Sequence, residues 1–219
     1  MTDTYVYVKM IERGMNMKKI LITGFMPFGG ETINPSYEAI KRMNCENIKA
    51  EVLKLEVPTA YQKSINFVVE YIESFKPDII IMVGQAGGRK EISIERVAIN
   101  IDDSKAPDNL GEVRTDQQIV NQGEPAYFST LPIKKIAERI KSSGIPAGIS
   151  NTAGTYVCNH LMYGILHEID SRKLENIQAG FIHVPYIKEQ VLDKKDVFAL
   201  DLDEIVKALT IAIQTSLEA

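Results

Sequence analysis

Two spacings of apolar residues take turns along this chain, one of strand type and one of helical period. Residues 20–23 form a short apolar run closed by Gly24, and residues 78–83 form a longer one. An unbroken run such as Ile79-Ile-Ile-Met-Val83 is what a central parallel strand covered on both faces requires. Residues 50–57 alternate apolar and polar side chains instead, which predicts a half-exposed edge strand. Further strands are predicted over 92–101, 147–150 and 177–184. Helical spacing runs through 59–75 (Tyr61, Ile65, Val68, Val69, Ile72), with Thr59 as its cap. Another helix opens at Pro35, a favoured first-turn residue, and others cover 132–143, 156–169 and 202–217.

This alternation predicts an α/β single domain, a mostly parallel twisted sheet with helices on both faces, in other words an α/β/α sandwich. Ligands bind such sheets beyond the carboxyl ends of the strands. The loops leaving Phe25, Gln85, Asn151 and His183 each follow a strand end, so one shared cleft is expected. Residues 102–122 read as a long polar loop, of a length that is usually functional or mobile.

At 219 residues the chain can bury one good core and is short for two. A net charge of −4 without any Lys/Arg block argues against a nucleic-acid partner or an anionic membrane surface. The longest apolar runs are far too short to span a bilayer. Two cysteines, Cys45 and Cys158, exclude a disulfide scaffold and point to a reducing, cytoplasmic setting. Met17-Lys-Lys-Ile-Leu-Ile-Thr-Gly24 reads as the natural opening of a doubly wound domain. Residues 1–16 are therefore expected to be an N-terminal extension, and 17–219 the domain.

Cys158 heads the helix predicted over 156–169, after a Gly/Thr-rich turn. Unpaired N–H groups and the positive dipole end stabilise a thiolate there; the bland alternative is a buried structural thiol. A cysteine nucleophile needs a base, normally His, and often a third group to orient the imidazole. His160 lies two residues from Cys158, so the two side chains leave the helix on nearly opposite sides. His167 sits beside Glu168 near the helix end, where a solvated His is the usual outcome. His183 ends an apolar strand and is the best placed as a base, against an equally weighted structural role.

Strand parity puts Glu95 on the face of Val97, Ile99 and Ile101, where an unpaired carboxylate costs several kcal/mol. Its partner could be an imidazolium, Arg89 or Arg96, unless the position is simply an exposed edge. No metal is expected, because Cys158-x-His160 lacks further ligands at a workable spacing. The Gly-rich turns at Phe28-Gly-Gly30 and Gly84-Gln-Ala-Gly-Gly88 match no phosphate-binding motif and read as tight turns beside the cleft. No cofactor is called for.

Five blocks in one order resemble a known family, the type I pyroglutamyl peptidases (pyrrolidone-carboxylate peptidases), which are cysteine peptidases. These are Thr23-Gly-Phe-Met-Pro-Phe-Gly-Gly30 with Asn34-Pro-Ser36, Gly84-Gln-Ala-Gly-Gly-Arg89, Glu95-Arg-Val-Ala-Ile-Asn100, Asn151-Thr-Ala-Gly-Thr-Tyr-Val-Cys-Asn-His160 and His183-Val-Pro185. The resemblance covers essentially everything from Met17 onward. It implies that Glu95, Cys158 and His183 form a Glu-Cys-His triad, and that Phe25, Phe28, Tyr156 and Val157 line a pyrrolidone pocket. It also implies that Asn34 and Gln85 hydrogen-bond the lactam.

The implied activity is removal of an N-terminal pyroglutamyl residue from peptides through a thioester, by a homo-oligomer that is often a tetramer. Two positions depart from the pattern. Ala106 stands where a larger aliphatic is common, and Tyr156 is Phe in some members, adding a hydroxyl that needs a partner. Two other classes fit the α/β pattern: a phosphorylase-like enzyme acting on a nucleoside, and a binding homologue without catalysis.

Overall fold

The computed structural model describes residues 17–219, so the expected extension at 1–16 lies outside the described residues. The unbroken apolar strands stack into a six-stranded sheet of order β2-β1-β3-β10-β4-β9. Its members are β1 (Lys19–Phe25), β2 (Glu51–Val57), β3 (Ile79–Gln85), β4 (Ile92–Glu95), β9 (Ala147–Ser150) and β10 (Gln178–Val184). The alternating strand, β2, forms an edge, and all seven residues of β3 are buried at the centre.

Successive side chains on these strands feed two separate cores. Ile20, Ile22, Ile79, Ile81, Val83, Ile182 and Val184 pack on one face. That face is covered by α1 (Pro35–Arg42), α3 (Ile133–Ser142) and α5 (Leu202–Leu217). Leu21, Ile80, Met82, Ala179 and Phe181 pack on the other, under α2 (Tyr61–Phe75) and α4 (Val157–Ser171). The three layers are those expected.

Direction within the sheet is less uniform than the sequence pattern implied. β1, β2, β3 and β10 run parallel, whereas β4 is antiparallel to β10 and β9 parallel to β4. The cause is the connection: only residues 86–91 separate β3 from β4. Parallel strands need a crossover of about a dozen residues or more, so β4 has to run back. The loop after β9 therefore leaves the sheet in the opposite sense to those after β1, β3 and β10.

The single strand expected over 92–101 is in fact two. β4 stops at Glu95, and β5 (Val97–Ile99) pairs with β8 (Ala126–Phe128) in a separate ribbon. Parity between Glu95 and Val97 thus carries no meaning, because Arg96 separates two sheets. The polar stretch 102–122 holds a hairpin of β6 (Asp102–Ser104) and β7 (Arg114–Gln117). A last ribbon pairs β11 (Tyr186–Ile187) with β12 (Ala199–Leu200).

Local caps explain two helix starts. Asn34 caps α1 by accepting from Ser36 N at 3.1 Å. For α2 the capping residue is Ala60, not Thr59, and its side chain offers nothing. Asp108 from the β6–β7 loop does that work, accepting from Tyr61 N at 3.0 Å. Thr59 Oγ donates instead to Met26 O at 2.8 Å. Gly24 lets α1 settle onto the end of β1: a Cβ there would stand 2.7 Å from the Tyr37 backbone.

Candidate active site

His183 is the penultimate residue of β10 and is 3% exposed. Its neighbour in register on β3 is Gly84, and on β4 it is Ser93. Two residues back, Phe181 shares its face, and the two ring centroids lie 4.8 Å apart. Glu95 is opposite Phe181 and fully buried. From there its Oε1 meets His183 Nδ1 at 2.7 Å. A carboxylate only accepts, so Nδ1 carries the proton and Nε2 is left with a free lone pair.

Cys158 occupies the second position of α4 and is half-buried. The helix begins after Tyr156, whose side chain makes no cap. Gly84 explains how the sulfur fits: a Cβ on it would stand 2.8 Å from Cys158 Sγ and 2.8 Å from Phe181 Cζ. The thiol thus lies over the strand position directly beside His183, on the face that carries Phe181 and His183. Glu95, Cys158 and His183 come together at one place, although 88 residues separate Glu95 from His183.

The sequence left the partner of Glu95 open between an imidazole and an arginine, and the structure shows both. Arg89 Nη1 donates to the same Oε1 at 2.5 Å, and its Nη2 donates to Thr152 O at 2.8 Å. Arg96 turns elsewhere, donating to Asn151 Oδ1 at 2.8 Å. Arg89 therefore ties the carboxylate to the loop that leads into α4. That contact also brings the loop after β9 back to the site despite its reversed departure.

Burial dominates the protonation of the pair. It pushes the Cys158 thiol up to about 12, with the charge of Glu95 acting in the same direction and Arg89 opposing. It also pulls the His183 imidazole below its ordinary value, against the raising effects of the Glu95 hydrogen bond and charge; Arg89 lowers it further. At neutral pH the pair rests as thiol and neutral imidazole. A helix start alone favoured a thiolate; the desolvation of a sulfur packed against Gly84 and Phe181 outweighs it.

The aromatic residues divide into two groups. Phe28 and Tyr156 are half-buried and pack on each other, ring centroids 6.2 Å apart and planes tilted by 43°, so together they form one aromatic surface. Phe25 and Val157 are buried in the core on the same side of the sheet as α2 and α4. The hydroxyl of Tyr156 finds its partner in Pro107 O at 2.9 Å. Asn34 Oδ1 is fully engaged by Ser36 N and Ser36 Oγ, and its Nδ2 donates to Met26 O, which leaves one amide hydrogen. Gln85 ends β3 and is 9% exposed. Its Oε1 accepts from Gln190 Nε2 at 3.2 Å, so the Gln85 amide donor is left for another partner.

Gln190 and Arg89's grip on Thr152 escaped the sequence pattern. The first lies in a three-residue helical turn with no motif around it. The second is a bond to a backbone carbonyl, which no side-chain spacing encodes. The other histidines are engaged elsewhere. His167 is not simply solvated, since Tyr127 Oη lies 3.1 Å from its Nδ1 and Tyr163 stacks on it. Among the described residues no group of three or more His, Cys, Asp or Glu could hold a metal. None of the described helices is long and apolar enough to cross a membrane. A groove of about 690 Å³ between Lys76 and Leu174 opens at the amino-terminal end of β3 and β10, away from Cys158.

The architecture defines a class: a three-layer α/β domain that gathers Glu95, Cys158 and His183 around the carboxyl ends of β3 and β10. The chain belongs to the pyroglutamyl peptidase family, whose model matches residues 18–219. The pyrrolidone-carboxylate peptidase of Thermosipho africanus is 58% identical over 200 residues, covering 91% of this chain and 97% of that one. That of Fusobacterium nucleatum is 53% identical, covering 90% and 92%. Among solved structures, pyroglutamyl peptidase I of Bacillus amyloliquefaciens superposes with a TM-score of 0.88 at 51% identity, covering 92% of this chain and 98% of that one. A mutant pyrrolidone carboxyl peptidase of Pyrococcus furiosus gives 0.87 at 43% identity, covering 91% and 98%.

Proposed function

We propose that this protein removes an N-terminal pyroglutamyl residue from peptides by acyl transfer through Cys158. The observation that carries the proposal is the 2.7 Å bond between Glu95 and His183, with Cys158 Sγ lying over Gly84 beside that imidazole. His183, held by Glu95 through Nδ1, accepts the thiol proton at Nε2 as the sulfur attacks the pyroglutamyl carbonyl. The proton moves during attack because the resting pair is neutral. The tetrahedral oxyanion is met by backbone N–H groups at the uncapped start of α4, including that of Cys158. His183 then protonates the leaving amine. Water, activated by the same imidazole, cleaves the thioester and releases pyroglutamate and the free thiol.

Selectivity follows from desolvation. The aromatic surface of Phe28 and Tyr156, with Phe25 and Val157 in the adjoining core, receives a neutral lactam ring. A cationic amino terminus would lose several kcal/mol of hydration there without a counter-charge. The Gln85 amide donor and the remaining Asn34 amide hydrogen supply lactam partners, so analogues lacking those polar atoms are disfavoured.

The proposal extends to the setting. Residues 17–219 act as one peptidase domain, in a reducing cytoplasm that keeps both cysteines as thiols. The family resemblance supports a homo-oligomer, a tetramer. No nucleic acid, membrane, metal or cofactor takes part.

Incubation with a fluorogenic pyroglutamyl amide tests the proposal, with Cys158→Ser alongside. Wild-type protein releases the dye and the variant is slower by about a thousandfold or more. No release by wild type, or equal release by both, rejects the assignment. Phosphate-dependent cleavage of a nucleoside would favour the phosphorylase-like alternative.

A further inference from the structure

A second carboxylate–imidazole–guanidinium cluster lies buried beside the site and takes no part in the chemistry above. His160 Nδ1 meets Asp102 Oδ2 at 2.8 Å, with both side chains fully buried. Arg114 Nη1 donates to the same oxygen at 2.7 Å, and its Nε donates to Glu112 Oε1 at 2.7 Å. Asp102 Oδ1, His160 Nε2 and the hydroxyl of Tyr61 are buried without partners among the described residues. Such a cluster is a costly way to fill a core, since well-packed apolar residues of similar volume are often as stable or more so.

Its surroundings show what it holds. The Arg114 guanidinium sits 4.5 Å from the centroid of the Tyr61 ring. That ring stands edge-on to His160 at 5.3 Å and edge-on to Tyr156 at 5.7 Å. Tyr156 in turn packs on Phe28. Arg114, paired with Ser104, flanks the β6–β7 loop, and its bond to Asp102 ties the two strands together at the base of that loop. From that loop Pro107 O accepts from Tyr156 Oη, and Asn109 Nδ2 donates to Pro27 O at 2.8 Å, one residue before Phe28. Tyr156 and the backbone before Phe28 therefore bond to a loop whose base the cluster fixes, and Tyr156 also rests on Tyr61, which the cluster clamps.

We propose that Asp102, His160 and Arg114 are positioning residues that set the Phe28–Tyr156 pair, and so govern substrate binding and leave the rate of chemistry alone. The proposal rests on that aromatic pair being part of the pyrrolidone pocket. His160 leaves α4 on the side away from Cys158, so the cluster acts through Tyr61 and the loop.

Steady-state kinetics on a fluorogenic pyroglutamyl amide test it, with thermal melts recorded in parallel. Asp102→Asn and Arg114→Gln should each raise KM by about tenfold while kcat stays within about twofold of wild type. His160→Asn, which keeps a donor toward Asp102, should show a smaller rise. Asp102→Asn removes a fully buried charge and endangers the fold. Arg114, at 13% side-chain exposure, supplies the variant that keeps the test decisive. A lowered melting temperature with KM unmoved, or a fall in kcat at constant KM, overturns the proposal. Absence of release by wild type would instead defeat the functional assignment on which it stands.

Discussion

Glu95 Oε1 accepts from two donors, the neutral His183 ring and the Arg89 guanidinium, and their balance sets the state of the base. Because burial and Arg89 lower the imidazole, the neutral form persists into more acidic solution. The acid limb of kcat/KM is therefore expected below the ordinary imidazole value of about 6.5. Glu95→Gln removes the one group that raises His183, so the limb should move to still lower pH while kcat falls by about a hundredfold or more. A limb that stayed in place or moved upward in a pH–rate profile would contradict this assignment of charges. At this scale the sequence was informative where a residue's type and its position at an element end coincide. His183 at a strand end and Cys158 at a helix start are such cases. It was uninformative where a bond runs to a backbone carbonyl, as from Arg89 to Thr152, or where two glutamines pair across the fold.

Elements place these residues through connection lengths as much as through propensity. The six residues between β3 and β4 force a reversal, which brings Glu95 alongside β10 at the level of Phe181. Apolar patterning located the strands of the main sheet and the five helices, because each sheet face is sealed by helices and errors of register would expose it; the short strands β6, β7, β8, β11 and β12 lie outside that sheet and escaped it. Patterning did not show that Arg96 divides two sheets, since apolar residues resume at Val97 directly after the charged Glu95-Arg96 pair and a single amphipathic strand fits the same segment. Nor could it reveal that α2 is capped from a distance. Asp108 accepts from Tyr61 N, Leu110 N and Glu112 N, which couples the helix start to the β6–β7 loop. Asp108→Ala should cost about 2 kcal/mol in chemical denaturation and loosen that loop. An unchanged unfolding midpoint would show that the cap is replaced by solvent.

For the whole molecule, the sheet supplies a rigid floor and Gly84 a shallow place in it. A sulfur carried on α4 can settle there next to an imidazole carried on β10. The three layers were legible because 219 residues with alternating strand and helix signals leave few other arrangements. The reversal of β4, and with it β9, is not carried by apolar periodicity; its signal in the sequence was the short link over residues 84–91, too short for a parallel crossover.

The central claim is that Cys158 Sγ receives the pyroglutamyl acyl group, and an affinity label tests it most directly. A pyroglutamyl chloromethyl ketone should inactivate the enzyme with one adduct per chain, and peptide mass spectrometry should find that adduct on Cys158. Inactivation with the label on Cys45 or elsewhere, or full labelling of Cys158 with activity retained, would contradict the account.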